Sequence, residues 1–229
     1  MNESLTPGNR GLSPSYELVI FDWDGTLMDS TRMIAKSLQA ACRDVGIAVP
    51  SEQDALFVIG LNIDDTFRHV APHLDMEGRR LVAERYRVHF LANEHEAPLY
   101  DGVREMLADL HGRGRRLAVA TGKARRGLDR VLDSTGLGPW FEATRCADEG
   151  FAKPHPGMLL ALLDLTGVEP AKALMVGDTT HDLELAANAG VDAVAVSYGA
   201  HHDDLLSTRP AKARVSTVPD LHRWLTSHG

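Results

Sequence analysis

The sequence predicts an α/β protein: a doubly wound parallel sheet with a small all-helical subdomain inserted after its first strand. Three observations point there. Short continuous apolar runs recur along the chain, several of them ending in an acid or a Thr-Gly or Gly-Asp pair. Segments with helical spacing separate these runs, and strands that alternate with helices imply βαβ units. One stretch, 31–97, breaks the alternation and carries helical periodicity alone.

The elements can be taken in order. Residues 1–15 are polar and rich in Gly, Pro and Ser, and are expected to be a disordered lead-in without the apolar segment of a signal peptide. Leu18-Val19-Ile20-Phe21 then runs into Asp22, the pattern of a strand buried on both faces. In the inserted stretch, Met33, Ile34, Leu38, Ala41, Cys42 and Val45 trace one helix face. Ser51-Glu-Gln-Asp54 reads as a helix start, and Leu81, Val82, Tyr86, His89 and Phe90 trace another face. After it, Leu117–Ala120, Ala173–Val176, Ala193–Val196 and a weaker run near Trp140-Phe141-Glu142-Ala143 are expected strands. Helical patterns containing Met106, Leu128 and Leu159 lie between them. The organisation is therefore a core of 16–30 and 98–229 with a helical insert at 31–97.

Bulk properties narrow the function. Hydrophobic residues make up 44% and charged residues 24%, which is the balance of an ordinary globular domain rather than a disordered chain. The net charge of −8 argues against nucleic acid as the main partner. No run of apolar residues is long enough to span a membrane, so a cytoplasmic protein is expected. Cys42 and Cys146 sit in no metal pattern and are expected to be reduced and buried. Of two basic runs, Arg113-Gly-Arg115-Arg116 reads as a solvated helix end. Lys123-Ala-Arg125-Arg126 follows a candidate phosphate loop and could attract anions.

Four short motifs carry chemistry. Asp22-Trp-Asp24-Gly25-Thr26 places two carboxylates two residues apart where a buried strand ends, the position at which open α/β sheets bind ligands. Acids crowded there need a cation or a shared proton. Thr121-Gly122 follows the second expected strand, and a hydroxyl with a free N–H at a helix start can receive an anion. Lys153 precedes a proline, which by itself suits a surface lysine equally well. Gly177-Asp178-Thr-Thr-His-Asp182 puts a second acid at a strand end and another in the first turn of the next helix. Hard oxygen ligands around Asp22 and Asp178 suit Mg²⁺.

Taken together and in this order, these motifs resemble the haloacid dehalogenase superfamily. They match its DxDGT at 22–26, its Thr at Thr121, its Lys at Lys153 and its GDxxxD at 177–182. The insert is similar to the cap of the phosphoglycolate-phosphatase-like branch. The resemblance implies Asp22 as covalent nucleophile and Asp24 as general acid and base. It makes Thr121, Gly122 and Lys153 the phosphate contacts. It implies Mg²⁺ held by Asp22, Asp24 (through its backbone carbonyl) and Asp178, with Asp182 orienting Lys153 or a metal-bound water. The expected reaction is Mg²⁺-dependent hydrolysis of a small phosphorylated, phosphoglycolate-like metabolite.

A phosphotransferase, mutase or pyrophosphatase of the same superfamily is the alternative. Dehalogenases of this type lack the second acid, and a receiver-like signalling module is about half this length. Specificity is expected in the loop Gly60-Leu61-Asn62, with Arg32, Arg68 and His69 as further candidate contacts.

Overall fold

A computed structural model describes residues 16–228; the expected lead-in, 1–15, lies outside them. Six strands form one wholly parallel sheet: β1 (Leu18–Phe21), β2 (Arg116–Thr121), β3 (Ala143–Cys146), β4 (Ala173–Gly177), β5 (Asp192–Val196) and β6 (Ala213–Val215). Their spatial order is β3-β2-β1-β4-β5-β6. The first strand is thus central, flanked by β2 and β4.

Strand side chains alternate between two cores, as the pleat requires. Val19, Phe21, Val119, Leu174, Val176 and Val194 face one cluster. It is closed by α5 (Val103–Gly112), α6 (Arg125–Thr135) and α10 (Val218–His228). Leu18, Ile20, Ala118, Ala120, Met175 and Ala193 face the other, under α7 (Gly157–Thr166) and α8 (Thr180–Ala189). A short helix, α9 (Asp203–Leu206), precedes β6. Helices on both faces make the sheet doubly wound.

Two expectations are corrected. The run at Trp140–Ala143 is not a strand as a whole: Gly138–Trp140 is a 3₁₀ turn, and β3 starts only at Ala143. Pro139 fixes the turn, and the aromatic side chains pack on the core from it. The sixth strand has no apolar run, because Ala213–Val215 is a short edge strand with no side chain fully buried.

Between β1 and α5 lie α1 (Thr31–Val45), α2 (Glu52–Phe57), α3 (Ile63–Val70), α4 (Met76–Asn93) and a 3₁₀ turn, Glu94–Glu96. Ser51 and Asn62 cap α2 and α3, each accepting the backbone N–H three residues on. These helices enclose their own cluster, including Leu38, Cys42, Val58, Phe67 and Val82. Leu81 departs from its expected face and is 46% exposed, whereas Val82 beside it is buried. Both cysteines are buried and unpaired.

Candidate active site

The site is assembled at the carboxyl ends of the three central strands. Extended backbone sends alternate side chains to opposite sides. Trp23 therefore enters the core, fully buried and edge-on to Phe141, while Asp22 and Asp24 face away from it. Gly25, at φ +82°, then turns the chain, and its N–H donates to the Met28 carbonyl at 2.9 Å. The spacing of the two acids is a product of that anchored turn.

Asp22 is fully buried. Lys153 Nζ lies 2.8 Å from its Oδ1 and 2.6 Å from Asp182 Oδ1. Lys153 is thus the charge partner of Asp22 Oδ1, whereas Asp22 Oδ2 has no partner among the described residues. Asp182 is differently placed. Its Oδ2 accepts from the N–H and hydroxyl of Thr179 in a capping box, which aims Oδ1 at Lys153. Asp178 Oδ1 accepts from Thr26 Oγ1 at 2.8 Å, and its Oδ2 accepts from the Ala200 N–H at 2.7 Å.

Three buried acids around one lysine leave an excess of negative charge. Burial pushes the Asp22 carboxyl up to about 7, against the lowering pull of Lys153 and with a further push from Asp182. Burial, then Asp22 and Asp182, raise Asp178 well above the carboxylate range. Burial works against the Lys153 ammonium, but Asp182 and Asp22 outweigh it and hold it above its ordinary value.

Those features fit a divalent cation. One oxygen each from Asp22, Asp178 and Asp182 lies within 4.8 Å of the others. Asp22 Oδ2, which has no partner among the described residues, is a hard donor that a cation would satisfy. Both oxygens of Asp182 and both of Asp178 hold protein donors, and Asp22 Oδ1 holds Lys153, so Asp22 Oδ2 is the carboxylate oxygen of the three without a protein partner among the described residues. Backbone closes tightly over Asp178: a Cβ on Gly25 would fall 2.1 Å from its Oδ2, and one on Gly199 2.3 Å. The Asp24 carboxylate is not part of this cluster. Its Oδ1 accepts from Ser30 Oγ at 2.6 Å and lies 3.1 Å from Lys123 Nζ.

Thr121 is fully buried at the end of β2, and its Oγ1 accepts the Lys123 N–H at 3.2 Å, leaving its own proton to donate. Gly122 follows under the loop between α2 and α3: a Cβ there would meet the Gly60 carbonyl at 2.6 Å. Gly60, Leu61 and Asn62 line a cavity of about 790 Å³ that opens onto Asp22, Asp24, Thr121 and Gly122. Arg32 does not line it and is exposed on α1. Arg68 pairs with Asp64, and His69 packs on the Phe57 ring.

The run Lys123-Ala-Arg125-Arg126, expected to attract anions, is in part committed to acids of the protein: Lys123 pairs with Asp24 and Arg125 with Glu149. Lys123 is buried, and its ammonium sits 4.8 Å from the centre of the Phe90 ring. Its position one residue after Thr121-Gly122 was the available signal. The other basic run is also not simply solvated, since Arg116 forms a paired contact with Glu142 from within β2. His181 and His201, from the core, both donate to the Phe57 carbonyl, at 2.8 and 3.0 Å, and pack on its ring. No local pattern announces that meeting.

A family model for haloacid dehalogenase-like hydrolases matches residues 19–196. The chain belongs to this family. Its type within the family is that of the phosphoglycolate-phosphatase-like phosphatases. The chain is 34% identical to the probable phosphatase IndB of Dickeya dadantii, over 89% of this chain and 91% of that one. It is 36% identical to the tyrosine-protein kinase PtkA of Mycobacterium tuberculosis, covering 94% of this chain and 75% of that one. A solved structure from Haemophilus somnus, described as a predicted phosphoglycolate phosphatase, superposes with a TM-score of 0.82 at 25% identity, covering 91% and 97% of the two chains. No helix among the described residues of this family member is long and apolar enough to cross a membrane.

Proposed function

We propose that this enzyme hydrolyses phosphate monoesters of small metabolites through a phosphorylated Asp22. The observation that carries the reading is the buried Asp22 carboxylate, its Oδ1 on Lys153 and its Oδ2 without a partner among the described residues, lining a cavity large enough for an organic substrate. An Asp22 oxygen attacks phosphorus, and the bond to the alcohol oxygen breaks. Asp24 holds a proton for that departing oxygen. Its Oδ1 is engaged by Ser30 and Lys123, so Oδ2 is the atom that delivers it. The same oxygen then takes a proton from the water that hydrolyses the acyl phosphate.

The Thr121 hydroxyl, the Gly122 N–H and the Lys153 ammonium hold the phosphoryl oxygens as charge shifts among them. Asp182 is a positioning residue that fixes Lys153. Asp22, Asp178 and the Asp24 carbonyl would hold Mg²⁺, which when bound supplies positive charge for the phosphoryl oxygens and offsets the crowded acids. The helices of 31–97 act as a cap over the core of 16–30 and 98–229, and exclude water while it is closed.

The test is acid-quenched intact-mass spectrometry with para-nitrophenyl phosphate and Mg²⁺. Asp24→Asn is expected to accumulate a single phosphoryl adduct that hydroxylamine removes, and Asp22→Asn none. An adduct that persists in Asp22→Asn would overturn the assignment of the nucleophile. The likeness to PtkA favours a second reading, transfer of the phosphoryl group to a hydroxyl other than water. Labelled phosphate found on an added acceptor, rather than released, would select it.

A further inference from the structure

The cavity identifies the kind of alcohol the phosphate is attached to. We infer that the site takes phosphate monoesters whose alcohol carries a ring with apolar faces, in preference to two-carbon substrates of the phosphoglycolate kind. The inference rests on the phosphatase reading above and concerns the part of the substrate that does not react.

Size is the first argument. A cavity of about 790 Å³ is of the size that takes a ring-bearing organic ligand, well beyond a two-carbon phosphate. Chemistry is the second. Ile34 and Leu38 of α1, Ile59 after α2, and Tyr86 and Phe90 of α4 all line it. Ile34, Ile59 and Phe90 belong to none of the three hydrophobic clusters among the described residues. Ile59 is buried, whereas Ile34 and Phe90 are only partly buried and present apolar surface to the cavity. Tyr86 and Phe90 are one helical turn apart on α4, with ring centres 5.6 Å apart. Lys123 packs over Phe90 from the core side.

Charge is the third. A short substrate bearing a carboxylate beside the phosphate needs a cation within the cap. Among the lining residues of 31–97, Arg87 is the one cation, and it is exposed to solvent. On the core side, Lys123 is committed to Asp24 at 3.1 Å and sits 3.9 Å from Glu94, Arg130 holds Glu94 at 3.0 Å, and Arg126 is exposed to solvent. The cap wall offers rings and aliphatic chains where a glycolate carboxylate would require a buried positive charge.

The experiment compares primary alkyl phosphates, so that the leaving oxygen changes little: ethyl phosphate, phosphoglycolate and 2-phenylethyl phosphate, with Mg²⁺ and phosphate release as the readout. The expected kcat/KM for 2-phenylethyl phosphate exceeds that for the other two by about 100-fold, the range that burial of a ring supports. Phe90→Ala is expected to shrink the ratio of 2-phenylethyl to ethyl phosphate about tenfold, and Phe90→Tyr to retain it. Ile34→Ala, as a second variant, is expected to lower the ratio from the facing wall. Phosphoglycolate or ethyl phosphate turned over as well as the phenylethyl ester, or a ratio indifferent to Phe90→Ala, overturns the inference and leaves the phosphatase reading intact. Failure to hydrolyse any ester, para-nitrophenyl phosphate included, overturns the phosphatase reading itself.

Discussion

Lys153 is the residue on which the site's electrostatics turn, because among the described residues it is the one cation in direct contact with Asp22 and Asp182. Lys153→Met is expected to destabilise the protein by about 3–5 kcal/mol, since it strands two buried carboxylates. Chemical denaturation without metal measures it. Asp22→Asn should do the opposite in metal-free protein, raising stability at pH 7.5 by roughly 1–3 kcal/mol as one of three crowded charges is removed. The sign follows from the folded-state value of about 7 against the ordinary 3.8. A raised carboxyl adds stability that is complete below 3.8 and is lost as pH climbs through 7. The wild type should therefore weaken from pH 5.5 to 7.5 more steeply than the variant. Equal slopes in thermal melts would contradict it. Asp22 was legible in the sequence because an acid closing an apolar run has no other ready explanation. Lys153 was legible only through the order of the four motifs, because a lysine before proline by itself carries no mark of burial, and its partners lie far along the chain.

Among elements, the turns after β1 and β2 matter more than the strands that precede them. The Gly122 Cα sits so close to the Gly60 carbonyl that a methyl there cannot be accommodated with the cap seated as it is. Gly122→Ala is expected to leave the melting temperature within a few degrees, since the contact lies between core and cap and not within either. It should lower kcat/KM by about tenfold or more, because the phosphate-side N–H and the cap loop are then displaced together. A variant of full activity would show that this contact is incidental. Four strands were legible from unbroken apolar runs, each buried on both faces. Residues 140–143 misled because Trp140 and Phe141 are apolar for packing from a turn. The short edge strand β6 has one buried neighbour strand and no apolar signature to read.

At the scale of the whole molecule, one carbonyl of the inserted helices takes two hydrogen bonds from the core. Phe57 accepts from both His181 and His201 while its ring packs on each. His201 Nδ1 accepts the Thr180 N–H, so the ring is neutral with its proton on Nε2. Burial pushes His201 down to about 4 from 6.5. A lowered histidine favours the closed state at neutral pH, and that preference fades as pH falls from 6.5 towards 4. Amide exchange at 57–62 should accordingly quicken over this window, relative to the core strands. His201→Ala should produce the same quickening at pH 7.5. Exchange that is unchanged by both would show that cap closure does not depend on this contact. Nothing in the sequence foretold this contact, since it joins residues more than a hundred positions apart through a backbone oxygen.

The central place of β1 has a consequence for how the chain comes into being. Leu18 pairs with Arg116 on one side and Ala173 on the other, so the strand that carries Asp22 emerges from the ribosome long before either neighbour exists. During that interval an apolar four-residue segment has no sheet to join. The next residues to emerge, those of α1 to α4, make a cluster among themselves and need none of the later strands to do so. A nascent chain halted after α4 should thus already hold a compact helical unit while β1 waits unpaired. The sheet, with its long sequence separations, should form last and slowly. Of the six strands described, β1 is made before the other five and should be among the last to be structured, which makes the interval before residue 173 is made the window in which chaperone binding should matter most.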